Sequence, residues 1–177
     1  MRKLFIILAA GLGFLALVGA AIVGTAAIMV MPWAQSSGPR PSDAAMIAHF
    51  EKHRADFEQL AAMMREDARL KRIGKDFAQP DNAVGTARLA QYRALFARLN
   101  IISVSHYGSQ IEFVYYTQGI YIRGSAKSFC FGPPPDFVEE IDGDLDAAWD
   151  TAVKQHERGM TFQRRIAGDW WLQYEGT

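Results

Sequence analysis

The chain has 177 residues, with 19 Lys+Arg against 19 Asp+Glu, 50% hydrophobic residues and one cysteine. This balance excludes a disordered chain, a collagen-like repeat, a disulfide scaffold and a strongly basic nucleic-acid binder, and leaves one globular domain plus an apolar segment. The zero sum hides a polarity: residues 40–98 are mildly basic, and 136–150 carry seven acidic side chains and no basic one. Both blocks read as solvated faces, and neither names a partner.

From Leu4 to Met31 the chain carries no charge, after Arg2 and Lys3. As a helix this run reaches ~42 Å, and it exceeds the ~20 apolar residues that a bilayer core needs. Residues 1–31 are therefore read as a transmembrane anchor that meets the lipid bilayer through residues 4–31. The competing reading, a cleaved signal peptide cut after Ala20, leaves a new N-terminus that is still apolar up to Met31. Arg2 and Lys3 keep the N-terminus in the cytoplasm, so the expectation is a single-pass inner-membrane protein with its C-terminal domain in the periplasm. Trp33 falls at the outer interface. Ala16, Ala20 and Gly24 make a small-residue spacing of the kind that lets helices approach, which an Ala/Gly-rich span also produces by chance. Residues 32–41, rich in Pro, Ser and Gly, read as a linker.

The soluble domain spans 42–177. Ser42 is the expected N-cap of a first helix whose stripe is Met46, Ile47, Phe50, His53, Phe57, Leu60, Ala61 and Met64, ending near Asp67. A second helix runs from Thr86 to Leu99, with Leu89, Tyr92, Leu95, Phe96 and Leu99 on one face and Asn100 as its stop. The period then changes to two. Ile102, Val104, Ile111, Phe113 and Tyr115 share a face if Gly108-Ser109 is a hairpin loop pairing Tyr107 with Gln110. A third strand begins near Ile120 and continues to Phe131, before Gly132 and three prolines. A short helix is expected from Asp144 to Gln155. A last hairpin with a three-residue loop, Ala167-Gly168-Asp169, aligns Met160, Phe162 and Ile166 with Trp170, Leu172 and Tyr174. The expected fold class is α+β: an N-terminal transmembrane helix, then two helices packed on an antiparallel sheet of about five strands.

No motif assigns an activity. His49 and His53 are four apart on the first helix, but Phe50 stands where a zinc protease needs glutamate, so they read as helix–core residues before metal ligands. An EF-hand frame started at Asp142 fails at its turn, where Ala147 replaces glycine, and the acidic run is left as helix N-terminal acids or loose calcium binding. No nucleophile elbow and no phosphate loop occurs. Cys130, between Phe129 and Phe131, reads as a buried thiol.

Alternation sends Val114 and Tyr116 away from the helices, with Tyr121 opposite Tyr116 and Trp171 on the same side. Tyr116, Tyr121 and Trp171 are therefore the expected partner-binding residues for an envelope protein, unless the Pro-rich segment and the late helix fold over them. The pattern Phe162-Gln-Arg-Arg-Ile166-Ala-Gly-Asp-Trp170-Trp-Leu-Gln-Tyr174, with the Ser42–Met64 and Arg88/Tyr92 helices, resembles a family of uncharacterised bacterial cell-envelope proteins carrying an N-terminal span or lipid anchor. The resemblance covers most of Ser42 to Tyr174 and implies an envelope location, with no activity and no site residues. The resulting expectation is a periplasmic binding or interaction domain without catalytic activity or cofactor. The alternatives are a metal-assisted hydrolase using His49 and His53, or a carrier of small apolar ligands.

Overall fold

In the computed structural model, which describes residues 38–120, 123–157 and 159–176, the first helix, α1 (Asp43–Glu66), starts where Ser42 leaves the extended backbone and its Oγ accepts the Ala45 N–H at 3.3 Å. A side-chain oxygen there satisfies one of the donors that a helix start leaves open. Met46, Phe50, Phe57, Leu60 and Met64 repeat at helical spacing and are fully buried. The backbone departs from helical values only at His53 (φ −116°, ψ 19°), so the buried stripe continues through a kink. Two short strands follow, β1 (Arg72–Gly74) and β2 (Ala78–Gln79). Then comes α2 (Thr86–Leu99), whose N-cap is Gly85 and whose stop, Asn100, takes the left-handed conformation with φ 52°.

β3 (Ser103–Tyr107) and β4 (Gln110–Ile120) pair across Gly108-Ser109 with Tyr107 opposite Gln110, the expected register. Gly108 sits at φ +58°, which a residue without a Cβ adopts freely. β5 (Arg123–Phe131), β6 (Glu139–Glu140), α3 (Leu145–Lys154), β7 (Thr161–Ala167) and β8 (Trp170–Gly176) complete the order. Asp144 caps α3, its Oδ1 accepting the Ala147 N–H at 2.9 Å. The last hairpin turns through Gly168-Asp169, shorter than expected. A bulge at Ile166 supplies the extra residue, so Phe162 still faces Tyr174 and the apolar side is kept.

The strands form one sheet in the order β2-β1-β3-β4-β5-β8-β7-β6, antiparallel throughout except where β6 runs parallel to β7. The expected transmembrane helix followed by two helices on an antiparallel sheet of about five strands is therefore corrected. The described residues form three helices and an eight-stranded mixed sheet, and none of these helices is long and apolar enough to cross a membrane. The run 4–31, Trp33 and linker residues up to 37 lie outside the described residues. The added strands have two or three residues each, too few for a period of two to be read. They form because a neighbouring strand offers its backbone groups.

The helices cover one face of the sheet. Between them and the sheet Phe57 meets Phe129 at 4.7 Å, Phe113 at 6.0 Å and Trp170 at 5.8 Å between ring centroids, and Phe50 meets Trp170 at 5.1 Å. Offset and edge-on rings at this spacing fill the space as a close-packed core. An apolar-ligand carrier needs that same space open.

The opposite face is curved. β4 and β7 are separated by β5 and β8, which in a flat sheet sets them ~14 Å apart at ~4.8 Å per strand. Yet the side chains of Gln110 on β4 and Gln163 on β7 exchange two hydrogen bonds, at 2.8 and 3.1 Å. Two glutamine amides meet across three strand spacings only if the sheet curls toward them, so this face is concave.

Candidate functional site

The concave face is built from the alternate residues of four strands, and beside Val114, Cys130 and Trp171 it carries a buried polar group. Gln110 and Glu112 come from β4, Ser128 from β5, Gln173 from β8 and Gln163 from β7, each at most 7% exposed. Buried amides and carboxyls at this density require partners, and a continuous chain of hydrogen bonds provides them. Gln163 Nε2 donates to Gln110 Oε1 at 2.8 Å and to Gln173 Oε1 at 2.5 Å. Gln173 Nε2 in turn donates to Glu112 Oε1 at 3.3 Å and Glu175 Oε2 at 3.2 Å, so one amide joins two carboxyls. Glu112 also accepts from Ser128 Oγ at 2.9 Å and, at 3.4 Å, from Ser105 Oγ.

Of these groups, Ser105, Glu112 and Glu175 stand at the wall of a cavity of about 510 Å³, bounded by Lys71 and Arg72 on the β1 side and by Glu112, Thr117 and Glu175 on the other. A second cavity of about 480 Å³ shares Thr117, Ala126 and Glu175 with it, so Glu175 borders both. Burial raises the Glu112 carboxyl, and burial followed by the nearby Glu112 charge pushes Glu175 up to about 7. Among the described residues no Lys or Arg nitrogen lies at ion-pair distance from either carboxyl; Arg72 acts on Glu112 only as a more distant charge. Chemically the pocket is an acceptor-rich floor under a basic lip, with the Glu175 carboxyl able to take up a proton near neutral pH.

Tyr116 and Trp171 do not come to one surface. A bulge between Val114 and Tyr116 shifts the register, so that Val114 lies opposite Ser128 while Tyr116 lies opposite Lys127. One inserted residue reverses the alternation, which turns Tyr116 to the helix side. There it is 2% exposed and its hydroxyl donates to Gln118 Oε1 at 2.9 Å. Trp171 remains on the concave side but is only 3% exposed, beneath the Arg165 guanidinium at 4.5 Å from its ring. Tyr121 lies outside the described residues. Tyr116 and Trp171 thus occupy opposite faces, both buried, and share no surface.

His49 Nε2 bonds the Leu99 carbonyl at 3.0 Å, and its ring lies 4.8 Å from that of His53 and 5.1 Å from that of Tyr115. Burial lowers the pKa of His49. Among the described residues, the one group of three potential metal ligands is Asp43, Asp144 and Asp146, which contains neither histidine. That acidic group already has its cation. The fully buried Lys127 Nζ donates to Asp43 Oδ1 at 2.7 Å, Asp146 Oδ1 at 2.9 Å and the Pro41 carbonyl at 3.0 Å, and Arg40 lies 3.2 Å from Asp146. Cys130 is buried with its thiol pKa pushed up by desolvation, and its Sγ contacts Gln173 Oε1 at 3.5 Å.

The residues of the concave site were not visible as a site in the sequence. Glu112, Gln163, Gln173 and Glu175 occupy alternate strand positions, where polar residues ordinarily mark a solvated face. The available signal was the repetition of long amides and carboxyls on three strands, with no Lys on the same face of β4 or β8. Compared with protein-family models, curated proteins and solved structures, the chain matches none.

Proposed function

We propose that this chain is a small-ligand-binding domain without catalytic activity, held at a bacterial cytoplasmic membrane by residues 4–31, with the concave pocket presented to the periplasm. The pocket carries the reading: about 510 Å³ of space on a curved sheet, with one buried and one half-buried carboxyl in its wall and an ordered amide chain behind them. Cavities of this size suit small ligands, and polar groups held by their own hydrogen bonds give orientation without rearrangement. The envelope location rests on the charge-free run after Arg2 and Lys3 and on the resemblance of the Phe162–Tyr174 pattern to envelope proteins.

Two measurements test this. Protease added to spheroplasts digests the 42–177 domain without lysis; protection until the inner membrane is broken rejects the location. For the pocket, the full chain in detergent is screened thermally against small polar metabolites. At least one compound raises the wild-type Tm by several degrees and leaves Ala126→Phe unmoved, because the new ring fills space that Ala126 borders. A screen without such a compound, or an equal rise in Ala126→Phe, rejects the pocket.

A further inference from the structure

We infer that the concave pocket takes a small zwitterion, its ammonium group received between Glu112 and Glu175 and its anionic group turned toward Arg72 and Lys71. This rests on the pocket being a ligand site and adds the charge pattern of what enters it.

The first support is a contrast within the molecule. Among the described residues the other buried carboxylate, Asp43, has Lys127 in contact at 2.7 Å, and the half-buried Asp67 has Arg88 at 2.7 Å. Buried charges are ordinarily paired in this way. Glu112 and Glu175 are instead joined to each other through the Gln173 amide, a neutral donor that serves both and compensates neither charge. Two carboxyls around one cavity, with no cation among the described residues between them, define a place for positive charge.

Stereochemistry favours ammonium over a metal ion. A carboxylate offers about four lone-pair directions, and an ammonium group supplies three donors. Ser128 and Gln173 use Glu112 Oε1, and Oε2 accepts only the long Ser105 bond at 3.4 Å. Glu175 accepts from Gln173 through Oε2. Acceptor capacity therefore remains on both carboxyls for those donors, whereas calcium or magnesium takes roughly six oxygen ligands and at two glutamates draws most of them from water.

The anionic end follows from position. Across the sheet Arg72 lies opposite Ser105, and Ser105 opposite Glu112, so positive and negative side chains follow one another along a single row of the concave face. Lys71 lines the same cavity. A dication meets Arg72 and Lys71 with repulsion, and a dianion meets the two glutamates likewise; a molecule carrying one charge of each sign satisfies both ends.

The test is isothermal titration of the full chain in detergent with γ-aminobutyrate and glycine as zwitterions, putrescine as dication, succinate as dianion, and calcium and magnesium chloride. A zwitterion binds saturably and more tightly than any of the others. Glu175→Gln weakens it tenfold or more, Arg72→Ala weakens it several-fold, and Glu58→Gln, on the exposed side of α1, leaves it unchanged. Tighter binding of putrescine, succinate or a metal ion overturns the inference, as does zwitterion affinity that both pocket variants leave intact. A neutral compound excluded by Ala126→Phe, with no zwitterion bound, removes the charge assignment and leaves the pocket standing. If no probe and no screened compound binds, both are rejected.

Discussion

Lys127→Met in the full chain lowers the free energy of unfolding by about 3–5 kcal/mol, as read from urea denaturation near pH 7. Lys127 sits on β5, fully buried, and its ammonium is shared by Asp43, Asp146 and the Pro41 carbonyl. Asp43 is itself 1% exposed, and its other oxygen accepts the Leu145 N–H at 2.7 Å, so a single carboxylate ties the start of α1 to the start of α3. Removing the ammonium leaves Asp43 charged and desolvated, with only Arg164 at 3.9 Å as a cation. The cost is that of the orphaned charge, which exceeds the net worth of the intact pair. Adding Asp43→Asn to Lys127→Met therefore recovers part of the loss, because the amide still accepts from Leu145 and carries no charge. A loss under 1 kcal/mol in the single variant, or no recovery in the double, shows that this ion pair does not hold the three elements together.

The second large effect is in pH. The Glu175 carboxyl, at an ordinary glutamate value of 4.5 when unfolded, is raised to about 7 in the fold, first by burial and then by Glu112. A carboxyl whose folded value is the higher binds its proton more tightly when folded. Its contribution is thus intact below about pH 4.5, falls away as pH rises to about 7, and is constant above that. At 1.36 kcal/mol per pH unit the loss is roughly 3 kcal/mol. His49, whose pKa is lowered, works in the opposite direction below pH 6.5, so the measured quantity is the difference between wild type and Glu175→Gln. The variant matches the wild type near pH 4.5 and becomes the more stable by roughly 3 kcal/mol at pH 7.5 and beyond. Urea midpoints taken at half-unit steps check this; parallel profiles for the two proteins contradict it. The same experiment reports on the site, since two neighbouring carboxyls with no cation among the described residues in contact impose this cost on the fold.

In the proposed reading, ligand recognition and fold stability meet at Glu175. A structural domain gains from replacing such a residue with an amide, because the replacement removes a like-charge pair from a partly desolvated wall. A carboxyl held at such a cost fits the proposed ligand site, where a bound cationic group relieves it.

Much of the helical layer was legible in the sequence for reasons confined to a few turns of chain. Ser42, the stripe from Met46 to Met64, the face Tyr92-Leu95-Phe96-Leu99 and the stop at Asn100 all act through neighbours three or four residues away. The hairpin at Gly108-Ser109 was legible likewise, because turn chemistry and alternation agree on one register. The candidate site was not. Periodicity places residues on opposite sides of a strand but does not say whether a bulge intervenes, and the bulge before Tyr116 inverted the face on which the expected partner surface depended.

By itself the sequence determined the amphipathic helices, the strand polarity around Gly108 and the apolar character of residues 4–31, since each depends on interactions local in the chain. The tertiary structure alone decided which sheet face is concave, that β1, β2 and β6 extend the sheet, that Lys127 is consumed by Asp43 and Asp146, and that Glu112 and Glu175 stand together with no cation among the described residues in contact. The physical reason is separation. Lys127 and Asp43 are 84 residues apart and Gln110 and Gln163 are 53 apart, so these pairs exist only once burial of the aromatic core has drawn distant strands and helix ends into contact.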